Sequence, residues 1–174
     1  MHPIIIIPAY NPPVSFENLI KSINTITSTP IIIVDDGSNS FINLKNDNLI
    51  SLRNSNNCGK GYSLIKAFHY AHDRGYTHAV TLDADNQHDP QLIRSFLDIN
   101  EDITVVLGTR NFNADMPILR RLSNKITSLI LSYICKNNIL DSQCGYRRYK
   151  LSYVCAESYI ENGFQFETEV LIKL

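Results

Sequence analysis

Apolar residues along this chain fall into short unbroken runs that alternate with stretches of helical period. Ile4-Ile5-Ile6-Ile7 and Ile31-Ile32-Ile33-Val34 are continuous β-branched runs. A run without polar alternation suits a strand covered on both faces, the habit of parallel sheets. Pro8 and Pro12-Pro13 end the first run in a loop, and Asp35-Asp36-Gly37-Ser38 ends the second in a turn. Between them Phe16, Leu19, Ile20 and Ile23 recur at helical spacing, with Ser15 as the expected N-cap. Residues 48–53 predict a third strand, and an Asn- and Gly-rich loop follows over 54–61. Leu64, Phe68 and Ala71 mark a helix that Gly75 closes. A fourth strand over 79–82 stops at Asp83, Pro90 opens a helix, and residues 103–107 give a fifth strand before Gly108-Thr109-Arg110.

This alternation predicts an α/β layered domain with a mostly parallel central sheet. Acidic residues stand just beyond strands two and four, where ligands of such sheets bind. The remainder differs. Leu119, Leu122, Ile126, Leu129, Ile130 and Tyr133 define one long helix, richer in large apolar residues than a single buried face requires. A polar segment over 141–149 follows, then helical stretches over 151–159 and 166–174. No repeat or linker interrupts the chain, so residues 1–174 read as one domain. Residues 167–174 look like a helix without a stop signal, which implies that the natural chain continues.

Composition narrows the classes. With 174 residues, 44% of them hydrophobic, the chain can bury a real core. Its net charge of -1 lacks the basic excess of a nucleic-acid binder. Cys58, Cys135, Cys144 and Cys155 form no C-x-x-C pair and no secretory signal precedes them, so they read as free thiols in a reducing cytoplasm. No apolar run approaches the roughly 18 residues of a membrane span.

Asp83-Ala84-Asp85-Asn86-Gln87 is the most informative segment. Two carboxylates one residue apart, in a loop after a buried strand, can converge on a hard cation such as Mg²⁺ or Mn²⁺, and Gln87 can add a carbonyl oxygen. An EF-hand is excluded, because its glycine and glutamate positions hold His88 and Arg94. Asp35 and Asp36 read either as turn-capping carboxylates or as acceptors for a base or ribose. Gly59-Lys60-Gly61 is no Walker loop, since Asn54 stands at its first glycine and Gly61 at its hydroxyl position. Lys60 reads as a phosphate contact or a surface charge. Arg110, Arg120 and Arg121 are candidate phosphate ligands through their planar forks. His78 and His88 read as surface or internally satisfied histidines rather than metal ligands.

Taken in order, Pro8-Ala9-Tyr10-Asn11, Val34-Asp35-Asp36-Gly37-Ser38, Asn57-Cys58-Gly59-Lys60-Gly61, Asp83-Ala84-Asp85-Asn86-Gln87-His88 and Gly108-Thr109-Arg110 form a pattern with two later segments. These are Asp141-Ser142-Gln143-Cys144-Gly145-Tyr146-Arg147 and Phe164-Gln165-Phe166-Glu167-Thr168-Glu169. The chain resembles family 2 glycosyltransferases of the GT-A fold, a Rossmann-like three-layer sandwich. Within them it is most similar to the polyprenyl-phosphate sugar transferases of the dolichyl-phosphate mannose and glucose synthase type. The resemblance implies that Pro8, Tyr10, Asn11, Asp35, Asp36 and Lys60 line the nucleotide pocket. It implies that Asp83, Asp85 and Gln87 hold Mg²⁺ or Mn²⁺, and that Arg110 with Arg120 or Arg121 faces a phosphate. The segment from Asp141 through Gln143 to Arg147 would sit beside the acceptor. Pro12 stands where many relatives carry an acidic residue, which leaves the donor base open.

The resemblance further implies inverting transfer of a hexose from a UDP- or GDP-sugar to a polyprenyl phosphate, with Asp85, Asp141 and Arg110 as the catalytic candidates. Contact with the inner face of the membrane and a homodimer are compatible with it. Three alternatives compete with this reading. A hydroxyl acceptor such as a polysaccharide would need a base, for which Asp141 is the candidate. A sugar nucleotidyltransferase would need a glycine-rich, Arg-containing loop that is missing between Ile7 and Phe16. A nucleotide-sugar binding module without catalysis is opposed by the intact Asp83, Asp85 and Gln87.

Overall fold

Strands β1 (Pro3–Ala9) and β2 (Ile31–Asp35) are the two isoleucine runs. The computed structural model describes the backbone of residues 1–44, 46–110 and 118–174, and their side chains except those of 118–121. Beside these two strands lie β3 (Leu49–Arg53) and β4 (His78–Thr81), all parallel, with Ile5 in register with Ile31 and Val80. Two short strands complete a six-stranded sheet: β5 (Val105–Leu107) and β6 (Arg147–Lys150), in the order β3-β2-β1-β4-β6-β5. Strand β6 runs antiparallel to both β4 and β5.

Successive residues of a strand point to opposite faces, so each isoleucine run feeds two cores at once. Ile5, Ile7, Ile31 and Ile33 face Phe16, Leu19, Ile20 and Ile23 of helix α1 (Phe16–Ile26), together with Ile93 and Phe96 of α3 (Ile93–Asp98). Ile4, Ile6, Ile32 and Val34 face Leu64, Ala67, Phe68 and Ala71 of α2 (Lys60–His72). On that side they also meet α5 (Leu151–Val154) and α6 (Phe166–Lys173). The result is the expected three-layer α/β sandwich. Ser15 precedes α1 but makes no cap bond with its side chain. Asp89 does cap the 3-10 turn Pro90–Leu92, accepting from the Gln91 N–H at 2.9 Å.

The polar segment 141–149 departs from its sequence reading, because its end forms β6 at the heart of the sheet. Arg147 and Arg148 are fully buried there. Arg147 donates to the carbonyls of Cys144, Ser142 and Glu167 at 2.7, 2.8 and 2.6 Å. Arg148 donates to those of Phe96, Ile99 and Asn100 at 3.1, 2.6 and 2.7 Å. Carbonyls answer these guanidinium donors apart from Arg148 Nε, which makes the burial tolerable, and hydrophobic periodicity is blind to such a strand. The helix expected over 151–159 closes at Val154.

Helix α4 (Ile118–Cys135) turns its large apolar residues outward. Asn124, Ser128 and Leu131 are buried, whereas Leu122, Ile126, Leu129, Ile130, Tyr133 and Ile134 are exposed, Tyr133 at 87%. Among the described residues no helix is long and apolar enough to cross a membrane.

Phe68 joins the α2 layer to β6 and α6, with its ring 5.1 Å from Tyr149 and 6.3 Å from Phe166. Replacing Phe68 with Ala leaves a cavity in that layer and is expected to cost about 3–5 kcal/mol, measured as the shift in urea unfolding of the whole chain.

Candidate active site

Every parallel strand delivers its last residues to one edge of the sheet, and the antiparallel β6 begins at that edge. A cleft of about 410 Å³ opens there. Its walls are Pro8, Tyr10 and Asn11 after β1, Asp36 after β2, Gly59 and Lys60 at the start of α2, Asp83 and Asp85 after β4, and Phe164 before α6.

The β1 and β2 loops are stitched together. Asn11 sits in the left-handed region at φ 45°, its N–H donates to Ser38 Oγ at 2.9 Å, and its Oδ1 accepts from the Asn39 N–H at 2.9 Å. Asp35 is fully buried and turned onto its own loop: it accepts from the Ser38 N–H at 2.8 Å and pairs with Arg53. Asp36 is the member of the pair that borders the cleft. It accepts from Asn54 Nδ2 and the Cys58 N–H through Oδ1, at 2.7 and 3.0 Å, and from the Gly59 N–H through Oδ2 at 2.9 Å.

Gly59 adopts φ 100°, and a side chain there would collide with the Asn162 carbonyl. Because both Gly59 and Gly61 lack one, the start of α2 can press against residues 161–166, which brings Lys60 to α6. The Lys60 ammonium, 11% exposed, lies 2.5 Å from Asp83 Oδ1 and 3.1 Å from Glu167 Oε1. His88 Nε2 approaches the other Asp83 oxygen at 3.4 Å. Gly145 closes over this group: a Cβ there would stand 2.5 Å from Asp83 Oδ2 and 2.8 Å from Lys60 Nζ. Burial alone would raise the Asp83 pKa, but His88 and Lys60 outweigh it and hold the carboxyl well below the usual carboxylate range. Burial likewise works against the Lys60 charge, and Glu167 and Asp83 more than offset it, so the Lys60 pKa is raised.

Asp85 is exposed, its Oδ1 accepting from the Gln87 N–H at 3.0 Å across Asn86, which adopts φ 62°. Gln87 is exposed and is not part of the cleft wall. Among the described residues no group of three or more His, Cys, Asp or Glu side chains forms a ready-made metal cage. What the cleft offers is two carboxylates on one short loop. That donor set fits a hard cation whose remaining ligands come from substrate phosphates and water.

Beyond the cleft lies a second charged centre. Asp141, 1% exposed, accepts from Arg110 through its backbone N–H at 3.2 Å, Nε at 2.8 Å and Nη2 at 2.9 Å. Asn124 Nδ2 and the Gln143 N–H add bonds of 2.9 and 3.2 Å. Bonding to Asp141 raises the Arg110 pKa. Burial pushes Asp141 the other way, yet the bonds from Arg110 and Asn124 prevail and lower its pKa. A carboxylate has about four lone-pair sites, so five donors fill Asp141 completely. Gln143 is exposed. The side chains of Arg120 and Arg121 lie outside the described residues.

The structure thus gathers Pro8, Tyr10, Asn11, Asp36, Lys60, Asp83 and Asp85 around one cleft. It sets Asp35 behind that cleft and Arg110 with Asp141 in a centre of their own. Sequence reasoning set His88 aside and gave Glu167 and Gly145 no individual role. Glu167 stands far from Asp83 in sequence although Lys60 joins the two, and no spacing rule links them.

Comparison with known proteins bears on the family and the fold. The glycosyl transferase family 2 pattern matches residues 4–157. The UDP-N-acetylglucosamine–dolichyl-phosphate N-acetylglucosaminyltransferase of Methanococcus voltae is 30% identical over 173 residues, 85% of this chain and 69% of that protein. The undecaprenyl-phosphate mannosyltransferase of Micrococcus luteus is 22% identical, over 99% of this chain and 77% of its own length. The undecaprenyl-phosphate 4-deoxy-4-formamido-L-arabinose transferase of Proteus mirabilis is 26% identical, over 84% of this chain and 48% of its own. The crystal structure of glucosyl-3-phosphoglycerate synthase from Mycobacterium tuberculosis superposes with a TM-score of 0.69 at 16% identity. That match covers 97% of this chain and 63% of that structure, and it supports the GT-A fold. With the family pattern running from β1 through α5 and the acidic edge of its sheet laid out as described, the chain belongs to glycosyl transferase family 2 and is a glycosyltransferase.

Proposed function

We propose that the protein transfers a hexose from a nucleoside diphosphate sugar to a polyprenyl phosphate, with inversion, at a membrane surface facing the cytoplasm. The observation that carries this reading is the saturated carboxylate of Asp141. The candidate base for a hydroxyl acceptor has its lone pairs filled by Arg110, Asn124 and the Gln143 N–H. An acceptor phosphate is already ionised near neutral pH and needs no base, so a centre that offers the Arg110 guanidinium and no spare base suits it. The three relatives named above carry polyprenyl-phosphate acceptors in their names, which supports the same choice.

In this reading Pro8, Tyr10, Asn11 and Asp36 take the nucleoside, and Asp35 holds the β2 turn behind them. Asp83 and Asp85, with Gln87 nearby on the same loop, hold a divalent cation. Bound there, Mg²⁺ or Mn²⁺ offsets charge on the departing diphosphate. Lys60 adds a cation beside Asp83. An acceptor phosphate oxygen bonds to the anomeric carbon while the bond from that carbon to the diphosphate oxygen breaks, and the nucleoside diphosphate leaves with the electron pair. Arg110, held by Asp141, orients the acceptor phosphate from the far side. The outward apolar face of α4 carries Lys125 and no acidic residue. Such a face suits insertion among acyl chains beside anionic head groups.

Replacing Asp85 with Ala is expected to lower transfer at least a hundredfold, the scale for losing one electrostatic contact to a developing charge. Because Asp85 is exposed, stability should change by no more than about 0.5 kcal/mol. Turnover near wild type at limiting Mn²⁺ would remove the metal from the reading.

The paired change Ile126→Glu and Leu129→Glu places charge on the outer face of α4, away from both charged centres. Expected is loss of most binding to phosphatidylglycerol vesicles and of transfer to vesicle-borne polyprenyl phosphate, with hydrolysis of the sugar donor by water retained. Full lipid transfer by this variant would remove the α4 face from the reading, and no transfer to polyprenyl phosphate by the wild type would return the acceptor to the hydroxyl class.

A further inference from the structure

Lys60 stands where its helix least favours it. It is the first residue of α2, and the N-terminal end of a helix is electropositive. Its ammonium is nevertheless drawn inward, 2.5 Å from Asp83 Oδ1 and 3.1 Å from Glu167 Oε1, with the Phe164 ring 5.8 Å away. The other Asp83 oxygen is enclosed by His88 and by the bare backbone of Gly145. Asp83 is therefore already matched by protein cations and donors on both oxygens. Asp85, its partner on the loop, is engaged by a single backbone N–H among the described residues.

We propose that Lys60 occupies the place of the divalent cation at Asp83 in the donor-free protein and yields Asp83 when a donor diphosphate arrives to take up its charge. This rests on the metal reading given above and adds to it a residue that sets the order of binding. A divalent cation approaching the empty cleft meets Asp85 and an Asp83 held by a resident ammonium, so it binds weakly. A diphosphate brings negative charge to the Lys60 side of the cleft, gives the ammonium a new partner and frees Asp83 for the metal. Glu167 is the second anchor that keeps Lys60 charged and buried through this exchange. Metal and diphosphate then favour each other's binding, and each must strengthen the other by the same factor.

Binding alone tests this, without turnover. Mn²⁺ titrations followed by electron paramagnetic resonance would compare wild type, Lys60→Met, Glu167→Gln and Lys66→Met, each with and without UDP or GDP. Lys66 is a control of the same charge change outside the cleft, bonded to the Arg53 carbonyl and Asn54 Oδ1. Expected in wild type is weak Mn²⁺ binding that the nucleotide tightens at least tenfold. K60M should bind Mn²⁺ at least tenfold more tightly than wild type without nucleotide, and the strengthening by nucleotide should shrink severalfold. E167Q, which leaves Asp83 as the carboxylate partner of Lys60, should bind Mn²⁺ more weakly, and K66M should change less than twofold. Damage to the fold would weaken binding in K60M and E167Q alike, so opposite signs separate competition from disruption. Where the methionine variant does not fold, Lys60→Gln serves the same comparison. K60M equal to K66M, or weaker than wild type, overturns the role of Lys60 and leaves the metal reading standing. Absence of Mn²⁺ binding in every variant, even with nucleotide, overturns both.

Discussion

A carboxylate can be set at the edge of a buried sheet only if the fold answers its charge, since an unpaired buried ion costs several kcal/mol. Each buried acid at the carboxyl edge of this sheet is answered differently. Asp35 has Arg53 and the Ser38 N–H, Asp36 has backbone N–H groups and Asn54, Asp83 has Lys60 and His88, and Asp141 has Arg110 and Asn124. These pairings dictate which loops must touch. The Asn54–Gly59 loop folds onto Asp36, α2 swings its first residue toward Asp83, and the segment before β6 closes over the same aspartate at Gly145.

The answers also sort the acids by what they can do. Asp35 and Asp141 are spent on holding other groups, one the β2 turn and the other a guanidinium. Asp36 and Asp83 are paired yet border open space, and Asp85 is exposed. A transferase gains most from charges fixed before the reaction begins, because no reorganisation is then needed as charge develops. Lys60 and Arg110 are fixed in this sense, each by a carboxylate that the protein itself supplies.

The fold was legible in the sequence wherever apolar pattern alone decided it. The isoleucine runs, the helices on their two faces and the positions of Asp35 and Asp83 at strand ends follow from periodicity and turn chemistry. Strand β6 escaped because its inward residues are arginines whose burial depends on carbonyls of the loop before β6 and, far away in sequence, of α3, the turn after it and α6. Of the site, the acids along one cleft wall were readable from motif order. The partners that decide their roles were not. Glu167 and Gly145 meet Asp83 and Lys60 only through tertiary packing, and the saturation of Asp141 needs Arg110 and an Asn of α4, both distant in sequence. For α4, the count of large apolar residues signalled a surplus, and the structure shows which side carries it.

The position of β6 also has a temporal meaning. Strand β5 lies at the edge of the sheet, and its one neighbour is β6, made some forty residues later in the chain. A nascent chain complete through residue 110 can pair β1 to β4 side by side, but β5 has nothing to pair with until β6 arrives between it and β4. The same insertion carries Gly145 and the carbonyl anchors of Arg147 into place, so the sheet and the acidic cleft close in one late event. Non-local pairings of this kind delay folding, because the intervening chain must be ordered before the contact rewards it. The half-built species would expose one side of β4 as an open strand edge. Maturation of the catalytic edge is thereby tied to synthesis of the last third of the domain.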